Sequence, residues 1–184
     1  PPKGEFRFLP TIDLQYFLDS AVAIHNEDYF WYDQADFSDG MGGTLEGIHV
    51  FTGEDPYLNS VTLHNSTVVF TSEWVHFYKD NDIRATKDAD NQLPAVVFTN
   101  PNIVFSFNRE FRKQDHIEGA IYCAGKVVLT RGELSGPVIA NRATLARDMD
   151  FIDDEHPEYY IWSTGFGNYS SYDWPKVITN WTDG

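Results

Sequence analysis

The 184-residue sequence contains a single cysteine, Cys123, so no disulfide framework can form within the chain. Its neighbours Ile121, Tyr122 and Ala124 make a buried, inert thiol the expected state rather than a nucleophile. The lack of disulfides does not by itself exclude a secreted protein. No apolar run approaches the roughly 20 residues that cross a bilayer as a helix, so membrane insertion is not expected of this segment. Pro1-Pro2 reads as a trimmed start, any targeting or anchoring segment having been removed. Basic residues are scarce: 13 Lys and Arg stand against 28 Asp and Glu, for a net charge of −15. Nucleic acid and anionic membrane surfaces both want clustered cations, so neither is an expected partner.

Catalytic motifs are also missing. There is no Gly-x-Ser-x-Gly elbow, and none of the six histidines (His25, His49, His64, His76, His116, His156) has a close metal-binding spacing. The Gly-rich loop 39–43 lacks the Lys-Ser/Thr of a phosphate-binding loop. Several histidines fall in or beside predicted strands, where a hydrogen-bonded structural role is the commoner one. A non-enzymatic protein is therefore the expectation. A polysaccharide lyase or hydrolase on a β-helix is the second alternative, since it needs only carboxylates or a basic residue over a groove.

What the chain does have is a repeated phrase. Thr67-Val68-Val69-Phe70-Thr71, Ala95-Val96-Val97-Phe98-Thr99 and Lys126-Val127-Val128-Leu129-Thr130 share one pattern, offset by 28 and then 31 residues. Residues 61–66 lead into the first copy and 120–125 into the third, each as a short strand and a small or polar corner. Strand–corner–strand units at such a period mark stacked repeats, in which each turn covers its neighbour's apolar face. An aromatic content of 16% and 42% hydrophobic residues give one domain, 1–184, enough material for a core. The expected fold is all-β: a right-handed parallel β-solenoid with a short N-terminal helix, with a jelly-roll β-sandwich as the alternative.

Organisation along the chain follows from local pattern. Residues 1–10 form an extended arm with Phe6, Phe8 and Leu9 at its centre, able to add as a strand to a neighbouring subunit's edge. Residues 11–25 read as a capping helix, with Leu14, Phe17, Leu18 and Ala21 on one face and Thr11 as N-cap. Residues 36–47 read as a loop. The β array is placed at 48–156, with strands at 48–52, 61–63, 67–71, 74–78, 95–99, 103–107, 120–123, 126–130, 138–140 and 143–146. Residues 79–94 read as a protruding polar loop. The uninterrupted apolar run 95–98 predicts a strand covered on both faces.

The stretch 119–140, with Gly119, Gly125, Gly132 and Gly136 around its strands, followed by Ala143-Thr144-Leu145-Ala146 and then 148–154, resembles the β-helical region of PilX-type pilus assembly proteins. In architecture it is also similar to the tapirin surface adhesins. The resemblance is clear over 119–154 and looser at 47–71. This chain departs from the pattern in lacking a second glycine corner near Asn141 and in its aromatic tail. The resemblance supplies no catalytic residues. It implies an extracellular or cell-surface structural or adhesive protein, a subunit of a pilus or filament whose partners are copies of itself or other filament subunits.

Three further sets of residues are candidates for sites. The tail 157–184 carries Trp162, Tyr169, Tyr172 and Trp174 among Ser, Gly and Asn, a composition suited to recognition loops and to stacking on sugars, which makes a carbohydrate-binding module the first alternative function. The competing reading buries these rings against the flank of the array. Asp148, Asp150, Asp153 and Asp154, and separately Asp80, Asp82, Asp88, Asp90 and Asn91, are dense enough in oxygen to hold Ca2+, although solvated loops give the same composition. No other cofactor is expected. Asn65, Asn168 and Asn180 each open an Asn-x-Ser/Thr glycosylation tripeptide.

Overall fold

The computed structural model describes residues 12–86, 93–106, 115–129, 132–145 and 149–151. Over these residues the chain is mostly strand, arranged in three parallel sheets. The first sheet contains β1 (Ala21–His25), β3 (Gly47–Phe51), β6 (Ser66–Phe70), β9 (Val96–Phe98), β10 (Val104–Ser106), β12 (Ile121–Leu129) and β14 (Val138–Leu145). The second runs β15 (Met149–Phe151), β13 (Gly132–Ser135), β11 (His116–Glu118), β8 (Asp82–Arg84) and β5 (Thr62–Leu63). The third is β2 (Trp31–Tyr32), β4 (Tyr57–Asn59) and β7 (His76–Tyr78). Among the described residues none of these sheets closes on itself, and the one antiparallel pairing is the isolated bridge between Ser38 and Thr44. The parallel ladders do not fit a jelly roll, whose sheets are antiparallel.

From β3 to β9 the chain visits the three sheets in rotation, and from β10 onward it alternates between the first and the second. From β3 it passes to β4, β5 and back to β6, then to β7, β8 and on to β9. Returns to the first sheet take 19, 28, 25 and 17 residues, from Ile48 to Thr67, Val68 to Val96, Val96 to Ile121 and Ile121 to Val138. Like residues fall above like. Phe51, Phe70 and Phe98 occupy paired positions and stack at centroid distances of 4.8 and 5.4 Å, all fully buried. Leu63, Ile83, Ile117 and Leu134 do the same on the second sheet, the first three each the one buried residue of a short strand. Tyr32, Leu58 and Phe77 complete the core from the third. Each such ring or aliphatic side chain contributes about 1.5–3 kcal/mol by leaving water.

The first sheet is covered on its outer face as well. Ile48, Val50, Val69, Val97 and Tyr122 form a second cluster with Phe17 of the helix α1 (Leu14–Asp19). The run 95–98 is accordingly buried at every position, as its sequence predicts. The helix differs from expectation in two ways. It is capped by Asp13, whose carboxylate accepts from the Tyr16 amide at 3.1 Å, and it ends at Asp19, because the alternating, β-branched Ala21-Val22-Ala23-Ile24-His25 pairs as a strand with β3. The parallel array thus begins at Ala21 rather than at 48. The helix packs on the face of the sheet rather than over its end.

The first two Val-Val copies are in register, Val69 beside Val97. The third is not. Residues 121–129 form one long strand that shifts register between Cys123 and Lys126, so Tyr122 lies beside Val97 and Val128 lies beside Ser106 of β10. Strand β8 falls inside the segment expected to be a loop, held by Ile83 pointing into the core. Three of the four spaced glycines sit where a side chain cannot: at Gly119, with φ +129°, a Cβ would lie 2.6 Å from that of Ala85. A Cβ on Gly136, at φ +140°, would lie 2.4 Å from the Gly119 carbonyl oxygen, and one on Gly125 would lie 2.3 Å from that of Ile103. At the turn between the second and third sheets the buried Asn81 takes the Val61 amide on Oδ1 (3.0 Å) and donates from Nδ2 to Asp115 (2.9 Å) and the Leu58 carbonyl (3.3 Å).

Candidate functional site

Two outward faces collect the polar and aromatic side chains that could meet a partner. The second sheet presents ionisable groups. Asp82 accepts from Arg84 Nε and Nη2, each at 2.8 Å, and lies 3.3 Å from His64 Nε2 and 3.2 Å from His116 Nδ1. Glu133 sits beside His116 on the next strand, and Glu118 lies 3.8 Å from Arg84. Burial raises the Asp82 carboxyl, but the bonds from Arg84 and His64 and the nearby positive charges outweigh it and hold the group below the usual carboxylate range. This hub ties strand to strand. Of the expected calcium cluster around it, Asp88, Asp90 and Asn91 lie outside the described residues, and among the described residues no group of three His, Cys, Asp or Glu is arranged to hold a metal ion.

The third sheet presents rings. Trp31, Tyr57 and His76 hold one register position on successive strands and stack at 4.6 and 4.3 Å, with interplanar angles of 10° and 11°. Trp31 also meets Tyr78 at 79° and 5.0 Å, and Lys79 Nζ lies 5.7 Å from the Tyr78 ring centre. Two residues ahead of the stack, at the corner, come Tyr29, Asp55 and Trp74. Tyr29 and Trp74 are 64% and 62% exposed. Tyr29 and Asp55 both hold left-handed backbone, at φ 56° and 52°. The Tyr29 hydroxyl donates to Glu54 Oε2 at 3.0 Å, and the Glu54 amide donates to Asp28 Oδ1 at 2.7 Å. Asp55 Oδ1 lies 2.7 Å from His76 Nε2 as a charge contact off the line of a hydrogen bond; among the described residues, it and Asn59 Oδ1 are buried acceptors without a donor.

A third feature is internal. His49 Nε2 lies 2.9 Å from the Leu45 carbonyl, which can only accept, so Nε2 carries the proton and Nδ1 accepts from His25 Nε2 at 3.3 Å. Phe51 stacks on His25 at 4.5 Å, and Tyr32 and Phe37 flank it. Burial, with the neighbouring His49, pushes His25 down to about 4 against a small opposing pull from Glu27. Burial also lowers His49, opposed by its bond to Leu45. Cys123 is fully buried, and burial raises its thiol to about 11, the inert state expected of it.

Few of the sequence-predicted site residues fall where geometry can be given. Trp162, Tyr169, Tyr172, Trp174, Asn168, Asn180, Asp148, Asp153, Asp154, Phe6, Phe8 and Leu9 lie outside the described residues. Asp150 lies in β15 beside Glu133. Asn65 occupies an exposed corner at φ 49°, its amide donating to Glu46 at 3.3 Å. The aromatic face was not singled out by sequence reasoning. Its signal is there in Tyr29-Phe30-Trp31-Tyr32 and Trp74-Val75-His76-Phe77-Tyr78, aromatic clusters around the two outer strands of the third sheet. Among the described residues no helix is long and apolar enough to cross a membrane. No protein-family model matches the chain, and no match is found among curated proteins or solved structures.

Proposed function

We propose that this chain is a right-handed parallel β-solenoid that serves as a non-enzymatic structural and adhesive protein outside the cell, a subunit of a pilus, filament or similar surface assembly. The observation that carries the reading is the repeated return of the chain to the same parallel sheets, through all three from β3 to β8 and between the first and second from β10 onward, with like side chains above like. Such a rotation coils the backbone about one axis, and parallel crossovers are right-handed because a right-twisted strand packs back onto its sheet only that way. The glycine-spaced stretch similar to PilX-type proteins lies in the same array.

A coil of this kind has ends, and its first turn is apolar. β1 stands at the outer limit of its sheet, and Val22 and Ile24 on it are 46% and 53% exposed. An open strand edge beside apolar side chains is a template for another chain. A second copy is the partner, joined end to end through β1, with the arm carrying Phe6, Phe8 and Leu9 adding to the contact. Repetition of a head-to-tail contact gives a filament. Light scattering and electron microscopy of the wild type and of Ile24→Lys, with and without calcium, test this. Oligomers or filaments in the wild type and monomers in the folded variant are expected; a wild type that stays monomeric in every condition overturns the assembly.

A further inference from the structure

We propose that the outer face of the third sheet, from the Tyr29–Asp55–Trp74 corner across the Trp31–Tyr57–His76 stack, binds a neutral polysaccharide of pyranose units. The argument starts from the rings. A pyranose offers faces of weakly positive C–H groups, which pack against the negative face of an aromatic ring. Trp31 has Tyr57 stacked against one ring face and is 48% exposed, so much of its indole is open to solvent. Trp74 and Tyr29 are more exposed still and stand at the same corner on either side of Asp55. Tyr29 and Trp31 stand just before and at the start of β2, and Trp74 just before β7, two strand steps or roughly 10 Å away, a separation that a polymer spans and a single sugar ring does not.

Held rings bind better than loose ones, because their ordering cost is already met in the free protein. Trp31 is fixed by Tyr57 on its face and Tyr78 against it. Tyr29 is fixed by its bond to Glu54 and by left-handed backbone that a tyrosine rarely adopts without constraint. Carboxylates that can accept from hydroxyls lie beside the rings: those of Asp28 and Glu54 at the Tyr29 corner. The same carboxylates select against acidic polymers, whose uronates or sulfates they would repel, as does the net charge of −15. A neutral polymer rich in hydroxyl donors satisfies both conditions.

The proposal depends on the adhesive reading only for its biological setting, and it needs no assembly. Affinity electrophoresis through hydroxyethyl cellulose, glycol chitin or glucomannan, with alginate and polygalacturonate as acidic controls, tests it. The wild type should be retarded by at least one neutral polymer and by neither acidic one. Trp31→Ala and Trp74→Ala should each weaken binding about tenfold, the loss of roughly one ring contact. Trp162→Ala/Trp174→Ala should bind like the wild type, and so should Ile24→Lys, which separates glycan binding from self-association. Trp74 is largely exposed, so its variant is expected to fold even where Trp31→Ala loses stability. Retention of wild-type binding by Trp74→Ala, loss through the tail variant alone, or no retardation of the wild type by any neutral polymer would overturn the proposal.

Discussion

Mild acid should weaken this protein through one buried side chain, His25. It is only 8% exposed, lies against Phe51, Tyr32, Phe37 and His49, and is held down to about 4 from an ordinary value near 6.5. The folded form therefore refuses a proton that the unfolded chain accepts. Stability is unaffected well above pH 6.5, declines as pH falls through 6.5, and stops declining near pH 4, where the folded form is protonated too. A shift of this size corresponds to about 3 kcal/mol when complete and ~2 kcal/mol by pH 5, upper values because some solvent reaches the ring. For a domain of this length that is a fall in Tm of roughly 4–8 °C. Thermal melts followed by circular dichroism at pH 7, 6 and 5, for the wild type and for His25→Phe, measure it. Phenylalanine keeps the stack on Phe51 and removes the titration, so the variant should lose distinctly less stability on acidification. Parallel pH profiles for the two proteins would refute the reasoning.

Other expectations follow from the core and the thiol. Phe70→Ala removes the middle ring of the Phe51–Phe70–Phe98 stack and should cost about 3–5 kcal/mol in urea unfolding, with an unchanged m-value. Asn81→Leu leaves the buried Val61 amide without its acceptor and removes the side-chain bond to Asp115, and should cost about 1–3 kcal/mol, more than the same substitution at exposed Asn102. Cys123 should react with a thiol reagent at neutral pH only on unfolding, so the labelling rate should track denaturant.

How far the sequence could be read depended on which signal each segment carries. Strands with continuous apolar runs, such as Val68-Val69-Phe70 and Val96-Val97-Phe98, were legible because both faces of the first sheet are covered. Strands of the second and third sheets were less so. Asp82-Ile83-Arg84 and His116-Ile117-Glu118 bury one residue between two charged ones, a pattern too short to separate from loop. The segment 21–25 was hidden by Ala21, which continues the helical stripe of Leu14, Phe17 and Leu18 yet packs beside them from a strand. The third Val-Val phrase misled because sequence similarity cannot see a register shift inside one long strand. The aromatic face was illegible for another reason: Trp31, Tyr57 and His76 are 26 and 19 residues apart, and only the chain's unequal returns to the third sheet bring them into one column.

The parallel rotation of the chain underlies all of this, and backbone nuclear Overhauser contacts test it most directly. On labelled protein, the account predicts contacts linking Val50 to Val69 and Val69 to Val97, the Phe70 ring in contact with both Phe51 and Phe98, and no strong Hα–Hα contacts between these strands. Strong Hα–Hα contacts between the segments 47–51, 66–70 and 96–98, the mark of antiparallel neighbours, would contradict it.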